Sequence, residues 1–166
     1  MQTDTVHKSL VHKGFTLIEI LIVTTIIGIL AMIVVPKLIS AQDDARESAV
    51  ETDLQMLRRQ VNLYQAQHGG RSPHVNELNQ TDTANMMARM LGKTDESGKL
   101  NAGGNRGPYL TEWPENPYAS SATAATLTFG KSTTPPRDGL SGWYFCYRNL
   151  IMYPNTAKGA LDLDLD

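Results

Sequence analysis

At 166 residues the chain has room for one modest globular domain and not two. Fifteen Lys and Arg stand against seventeen Asp and Glu, a near balance that gives no basic footprint, so no nucleic-acid partner is expected. The single cysteine, Cys146, excludes an intrachain disulfide; it is either a small residue packed among neighbouring aromatics or a thiol free for an intermolecular bridge.

The N-terminal residues Met1 to Gly14 are polar and weakly basic, with His7, Lys8, His12 and Lys13 against Asp4. From Phe15 to Val35 runs an apolar stretch of 21 residues whose one ionisable group is Glu19. As a helix it spans about 32 Å at ~1.5 Å per residue, enough to cross a bilayer core of about 30 Å. It is longer than the apolar core of a secretory signal, and no small-residue cleavage site follows it. Charged residues resume at Lys37, Asp43, Asp44, Arg46 and Glu47. The stretch is therefore expected to stay as a single-pass anchor in the lipid bilayer, with the basic leader cytoplasmic and the C-terminal part outside. A carboxylate inside such a helix is costly and marks function by default, so Glu19 calls for a cationic partner at similar depth; the alternative is a carboxylate near the helix end that reaches the headgroups.

The run Lys13-Gly14-Phe15-Thr16-Leu17-Ile18-Glu19, at the junction of leader and apolar stretch, resembles the cleavage and methylation motif of type IV pilins and type II secretion pseudopilins. The resemblance implies that a prepilin peptidase/methyltransferase cuts between Gly14 and Phe15 and N-methylates Phe15. Cleavage there removes residues 1–14 as a leader and leaves residues 15–36 as the transmembrane and polymerisation segment. Residues 37–166 follow as a periplasmic or extracytoplasmic domain, held at the inner (cytoplasmic) membrane. The resemblance further implies that Glu19 pairs with the new N-terminus of an adjacent subunit and sets register during assembly. Gly28 and Pro36 fit the same pattern. Both weaken a helix, and in the family the equivalent stretch loses helicity in the filament; Gly28 as a close-packing point and Pro36 as a membrane-exit kink remain equally open.

From Lys37 to His68, Val50, Leu54, Leu57, Val61 and Tyr64 recur at steps of four and three, which predicts one buried helical stripe. Arg46, Glu47, Glu51, Asp53, Arg58 and Arg59 fall on the other faces. Gly69-Gly70 and Pro73 predict the stop, giving a nearly continuous helix of about 54 residues, roughly 80 Å long. The segment from Ala45 to Pro73 resembles the corresponding part of major pseudopilins. Thr81 to Leu91 predicts a short helix over the sheet, capped by Thr or Asp, with Met86, Met87 and Met90 as core filling. Lys93 to Gly107 reads as a loop.

Gly107 to Tyr118, with Pro108, Pro114 and Pro117, again resembles major pseudopilins and predicts an extended loop rather than a central strand. Strands are expected at Ala125 to Phe129, Gly142 to Arg148, Asn149 to Tyr153 and Ala160 to Leu165. The predicted class is α+β and pilin-like, a long N-terminal helix packed on a small antiparallel β-sheet.

Many major pseudopilins carry a calcium loop rich in Gly and Asp. Here Arg137-Asp138-Gly139-Leu140-Ser141-Gly142 has one acidic residue, which departs from that pattern. Asp162, Asp164 and Asp166 share a face if the tail is a strand, forming a weak candidate calcium site against the alternative of a solvated terminus. His68 and His74 lack nearby ligands and read as surface residues. With no nucleophile motif or phosphate-cradling loop, no catalytic residue is assigned and the chain reads as a non-enzyme.

The expected function is a structural filament subunit, a pseudopilin of a type II secretion system that polymerises from the inner membrane to drive protein export. The alternatives are a true type IV pilin for adhesion, motility or DNA uptake, and a membrane-tethered domain that never polymerises. The implied partners are further copies of the chain, related minor pseudopilins and the inner-membrane assembly platform.

Overall fold

From Leu17 to Gln67 the chain folds as one helix, α1, whose first half is rich in Ile and Val and whose second half is rich in stronger helix formers such as Ala, Glu, Gln and Arg. The computed structural model describes residues 14–156. Asp162, Asp164 and Asp166, the strand expected at 160–165 and the leader up to residue 13 lie outside them. The backbone divides into two units between Gln42 and Asp43.

In the first unit, α1 exposes its apolar side chains all round. The helix is long and apolar enough to cross a membrane.

In the second unit, α1 buries the five residues that the spacing predicts, Val50, Leu54, Leu57, Val61 and Tyr64. It ends as expected. Gly69 and Gly70 take positive φ, and the Gly70 amide donates back to the Gln65 carbonyl at 2.8 Å. A 3-10 turn over Thr83–Asn85 leads into α2, Met86–Leu91, which is shorter than the predicted helix. Neither Thr nor Asp caps it. The residue before α2 is Asn85, whose side chain instead donates to Asp82 at 3.0 Å. Met86 and Met90 are fully buried, Met87 partly.

The sheet has the order β1-β2-β3, with β1 at Leu127–Gly130, β2 at Trp143–Cys146 and β3 at Ile151–Pro154. The β2–β3 pair is antiparallel across a four-residue turn, as expected. The β1–β2 pair is parallel, which corrects the expectation of an all-antiparallel sheet. A parallel pair needs a long return connection, and residues 131–142 supply it. Trp143 and Phe145 point from β2 into the main core with the α1 stripe, Met90, Trp113 and Met152. Tyr144 and Cys146 face the other way and pack with Tyr153 and Ile151. Cys146 is thus a buried free thiol among aromatics.

The proline-rich loop forms no strand, as predicted, and is fastened to the sheet. Asn116 is fully buried and donates from Nδ2 to the Gly142 carbonyl at 2.7 Å. The Trp143 indole donates to the Pro114 carbonyl at 2.8 Å.

Two expectations fail in one place. His68 and His74 are buried, not surface residues. His68 stacks on Tyr64 at 3.9 Å between centroids and makes hydrogen bonds with the Tyr64 carbonyl and Thr94 Oγ1, so both ring nitrogens have partners. His74 hydrogen-bonds Ser72 Oγ at 2.8 Å and lies against Phe145 and Tyr147. The 93–107 loop is ordered by backbone bridges from Thr94 to Leu100 and Arg106.

Candidate functional site at the helix N-terminus

Gly14, Phe15 and Thr16 precede α1 in non-helical conformation, and Phe15 is 79% exposed. The Gly14–Phe15 bond therefore sits in exposed, non-helical chain immediately before a helix.

Thr16 and Glu19 form a capping box. The Glu19 carboxylate accepts from the Thr16 backbone amide at 2.9 Å and from its hydroxyl at 2.6 Å, while Thr16 Oγ1 accepts from the Glu19 amide at 3.3 Å. The carboxylate also lies in the first turn, where the helix dipole favours negative charge. This local arrangement fixes where the acid points without taking up all of its lone pairs. The Thr-x-x-Glu spacing carries the signal for Thr16, a residue that the motif reading left without a role.

Farther along, α1 runs through Gly28 and Pro36 without a break. Open space surrounds the Gly28 Cα, so no group of the chain itself packs against it. Pro36 has no amide to donate to the preceding turn, and its own carbonyl accepts from Ser40 Oγ at 3.3 Å as well as serving the helix. Thr24 and Thr25 fold their hydroxyls back onto carbonyls one turn earlier, which removes two polar groups from the apolar surface. What remains is a row of Ile, Leu, Val and Met from Leu17 to Ile39 with no partner of its own. Lipid or another apolar helix can cover such a surface; water cannot do so cheaply.

The second unit contains an open groove of about 580 Å³ between α1 and the proline-rich loop, lined by Asp53, Met56, Leu110, Glu112, Trp113 and Glu115 among others. Among the described residues no cluster of three or more His, Cys, Asp or Glu is placed to hold a metal ion. The candidate calcium ligands of the tail are outside that set.

Comparison with known proteins finds a family motif in the same N-terminal segment. Residues 11–35 match the prokaryotic N-terminal methylation motif. The chain is similar to the ComG operon protein 3 homolog of Bacillus licheniformis, 36% identical over 67 residues, 40% of this chain and 69% of that protein. It is also similar to the type II secretion system core protein G of Pseudomonas aeruginosa, 40% identical over 53 residues, 32% of this chain and 37% of that protein. With the protein of the same name from Escherichia coli it is 27% identical over 109 residues, 66% of this chain and 68% of that protein. No solved structure matches the chain. The chain thus belongs to the pilin-like family of type IV pilins and type II secretion pseudopilins, whose members are structural filament subunits and not enzymes.

Proposed function

We propose that the chain is a pseudopilin of a type II secretion system, cut between Gly14 and Phe15 and N-methylated at Phe15. One observation carries the choice of system: the similarity to core protein G of Escherichia coli extends over 109 residues, well beyond the anchor that all such subunits share. In this reading the basic leader stays in the cytoplasm, residues 15–36 span the inner membrane and the second unit lies on the far side. The exposed, non-helical Gly14–Phe15 bond supports cleavage, because a peptidase must lay its substrate out as extended chain.

Cleavage makes a new cation, the Phe15 α-amino group, one helical turn from Glu19. A carboxylate held at membrane depth gains most from a cation at the same depth, since neither ion is then solvated by water. Thr16 orients the Glu19 carboxylate, and the incoming N-terminus of a neighbouring subunit completes its pairing. Gly28 and Pro36 allow the exposed apolar row to adjust as copies pack. Growth of the polymer from the assembly platform, with related minor pseudopilins, then drives export. The acidic tail at Asp162, Asp164 and Asp166 is retained as a candidate calcium site, and added calcium should raise the melting temperature of the second unit.

A second reading, a pilin for DNA uptake, draws on the relative named for the ComG operon. Deleting the gene separates the two. Lost exoprotein release with intact surface pili and DNA uptake supports the pseudopilin, and the reverse pattern supports the pilin. The Glu19→Ala chain should insert and be cut normally yet fail to form filaments. Wild-type filaments from that variant would leave the assembly role of Glu19 without support.

A further inference from the structure

The groove of the second unit and the loop that returns from β1 to β2 have complementary chemistry. The groove has an apolar floor of Met56, Leu110 and Trp113 and an acidic rim of Asp53, Glu112 and Glu115. None of the three ion pairs among the described residues includes any of these carboxylates. Burial pushes the Asp53 carboxyl above its ordinary range, so this acid sits where a cation would be welcome. Trp113 is only 7% exposed, and its indole N–H is buried with no acceptor. That N–H is closed off from the surface, so what the groove offers a partner is its exposed carboxylates.

The returning loop presents the opposite pattern. Arg137 takes φ 54, a conformation that a non-glycine side chain adopts only when its surroundings hold it there. Asn155 and Asp138 do so. The Asp138 amide donates to Asn155 Oδ1 at 3.3 Å, and the Asn155 side chain donates to Asp138 Oδ1 at 2.7 Å. The Leu140 amide donates to the same carboxylate at 3.0 Å. The held backbone of the turn therefore carries a basic residue close to Leu140, which is 72% exposed. Arg137 takes part in none of the ion pairs.

We infer that the Pro136–Leu140 turn of one copy docks in the Asp53–Trp113–Glu115 groove of the next. Arg137 enters the acidic rim of Asp53, Glu112 and Glu115, and Leu140 lies over the apolar floor beside Met56. Because groove and turn are different surfaces, the contact is head-to-tail, and such contacts generate open polymers rather than closed dimers. The inference rests on the filament reading and adds a contact between the globular units to it.

Thiol cross-linking of the full-length chain in its native membrane tests this. Arg137→Cys with Glu112→Cys in one chain should give a ladder of multimers. The two single variants expressed together should give dimers, and each alone neither; Cys146 is buried and contributes only background. Arg137→Glu should lower filament yield about three- to tenfold, and adding Glu112→Arg and Glu115→Arg should restore it. Filaments that form without the cross-link, or at wild-type yield with Arg137→Glu, overturn the contact and leave the filament reading standing. A processed wild-type chain that yields no filaments, together with a double-cysteine chain that yields no ladder, overturns both. A Glu112→Cys cross-link to an exported protein instead of a second copy also overturns it.

Discussion

Arg89 is the side chain whose loss should damage the second unit most through polar contacts alone. It is 3% exposed, and its guanidinium donates to the carbonyls of Gly98, Pro73 and Asp82 at 3.2, 3.1 and 3.2 Å, and to the Asp82 carboxylate. These contacts join α2 to the helix stop and to the 93–107 loop. Arg89→Ala leaves three carbonyls and a carboxylate without their donor. Removing one partner of a buried ion pair costs about 3–5 kcal/mol. The Asp82 side chain keeps 21% of its surface in water, which favours the lower end, about 3 kcal/mol. For a unit of this size that lowers the melting temperature by about 10 °C. Arg89→Lys keeps the charge but not the planar fork and should lose about half as much. Asp82→Asn should lose less, because all three carbonyl contacts are main-chain and survive the substitution. Trp113 and Trp143 both lie in the core of this unit, so tryptophan fluorescence during heating or urea unfolding of the detergent-solubilised chain reads the order. An Arg89→Ala chain within about 0.5 kcal/mol of wild type would refute the assignment of Arg89 as the clasp of these loops.

Two acid-sensitive contributions and one steric limit follow from the same region and its neighbours. Hydrogen bonds from Asn85 and then Arg89 hold the Asp82 carboxyl below its ordinary range, so its stabilisation is full above about pH 4 and is lost as pH falls through the lowered value. Burial, with the nearby Arg89 charge second, holds the His74 ring below its ordinary value. A base that stays neutral in the fold takes up its proton more readily when unfolded. Its contribution is therefore full above about pH 6.5 and declines as pH falls towards the lowered value. His74→Gln should flatten stability between about pH 6.5 and 5, and an unchanged slope there would count against it. A Cβ on Gly142 would lie 1.8 Å from the Ala124 carbonyl oxygen, so Gly142→Ala must push the loop segment around Thr123 and Ala124 away from β2 and should cost more than about 3 kcal/mol. A wild-type urea midpoint for that variant would show that the loop is not fastened there.

The parts of the fold visible in the sequence are those that repeat or that change composition sharply. Five apolar residues at steps of four and three had to share one helical face, and the helix buries those five. The anchor is visible because 21 residues contain a single ionisable group. Partner choice across long separations leaves no such periodic trace. His68 follows the stripe residue Tyr64 at a helical step of four, but its burial depends on Thr94, 26 positions away. Arg89 shows only as one charge in a methionine-rich helix, and what makes it structural are carbonyls from three other segments. Arg58, placed on an outer face by the spacing, donates to the Met152 carbonyl at 3.0 Å and stands over the Tyr153 ring. The parallel β1–β2 pair was hidden for a related reason. Strand propensity is the same for either direction, and only the length of the 131–142 connection bears on the choice.

The two ends of the molecule also differ in how sequence encodes their function. At the N-terminus the signal is contiguous, because capping and charge placement act within one helical turn: Thr16 and Glu19 need only each other's spacing. The groove draws Asp53 from α1 and Glu112, Trp113 and Glu115 from a loop some sixty residues later, and Arg137 stands apart from both. A surface assembled that way is free to change its charges pair by pair without disturbing the anchor or the stripe. Where two copies meet at such surfaces, as the inferred contact requires, a mismatched charge is repelled and a matched one is held.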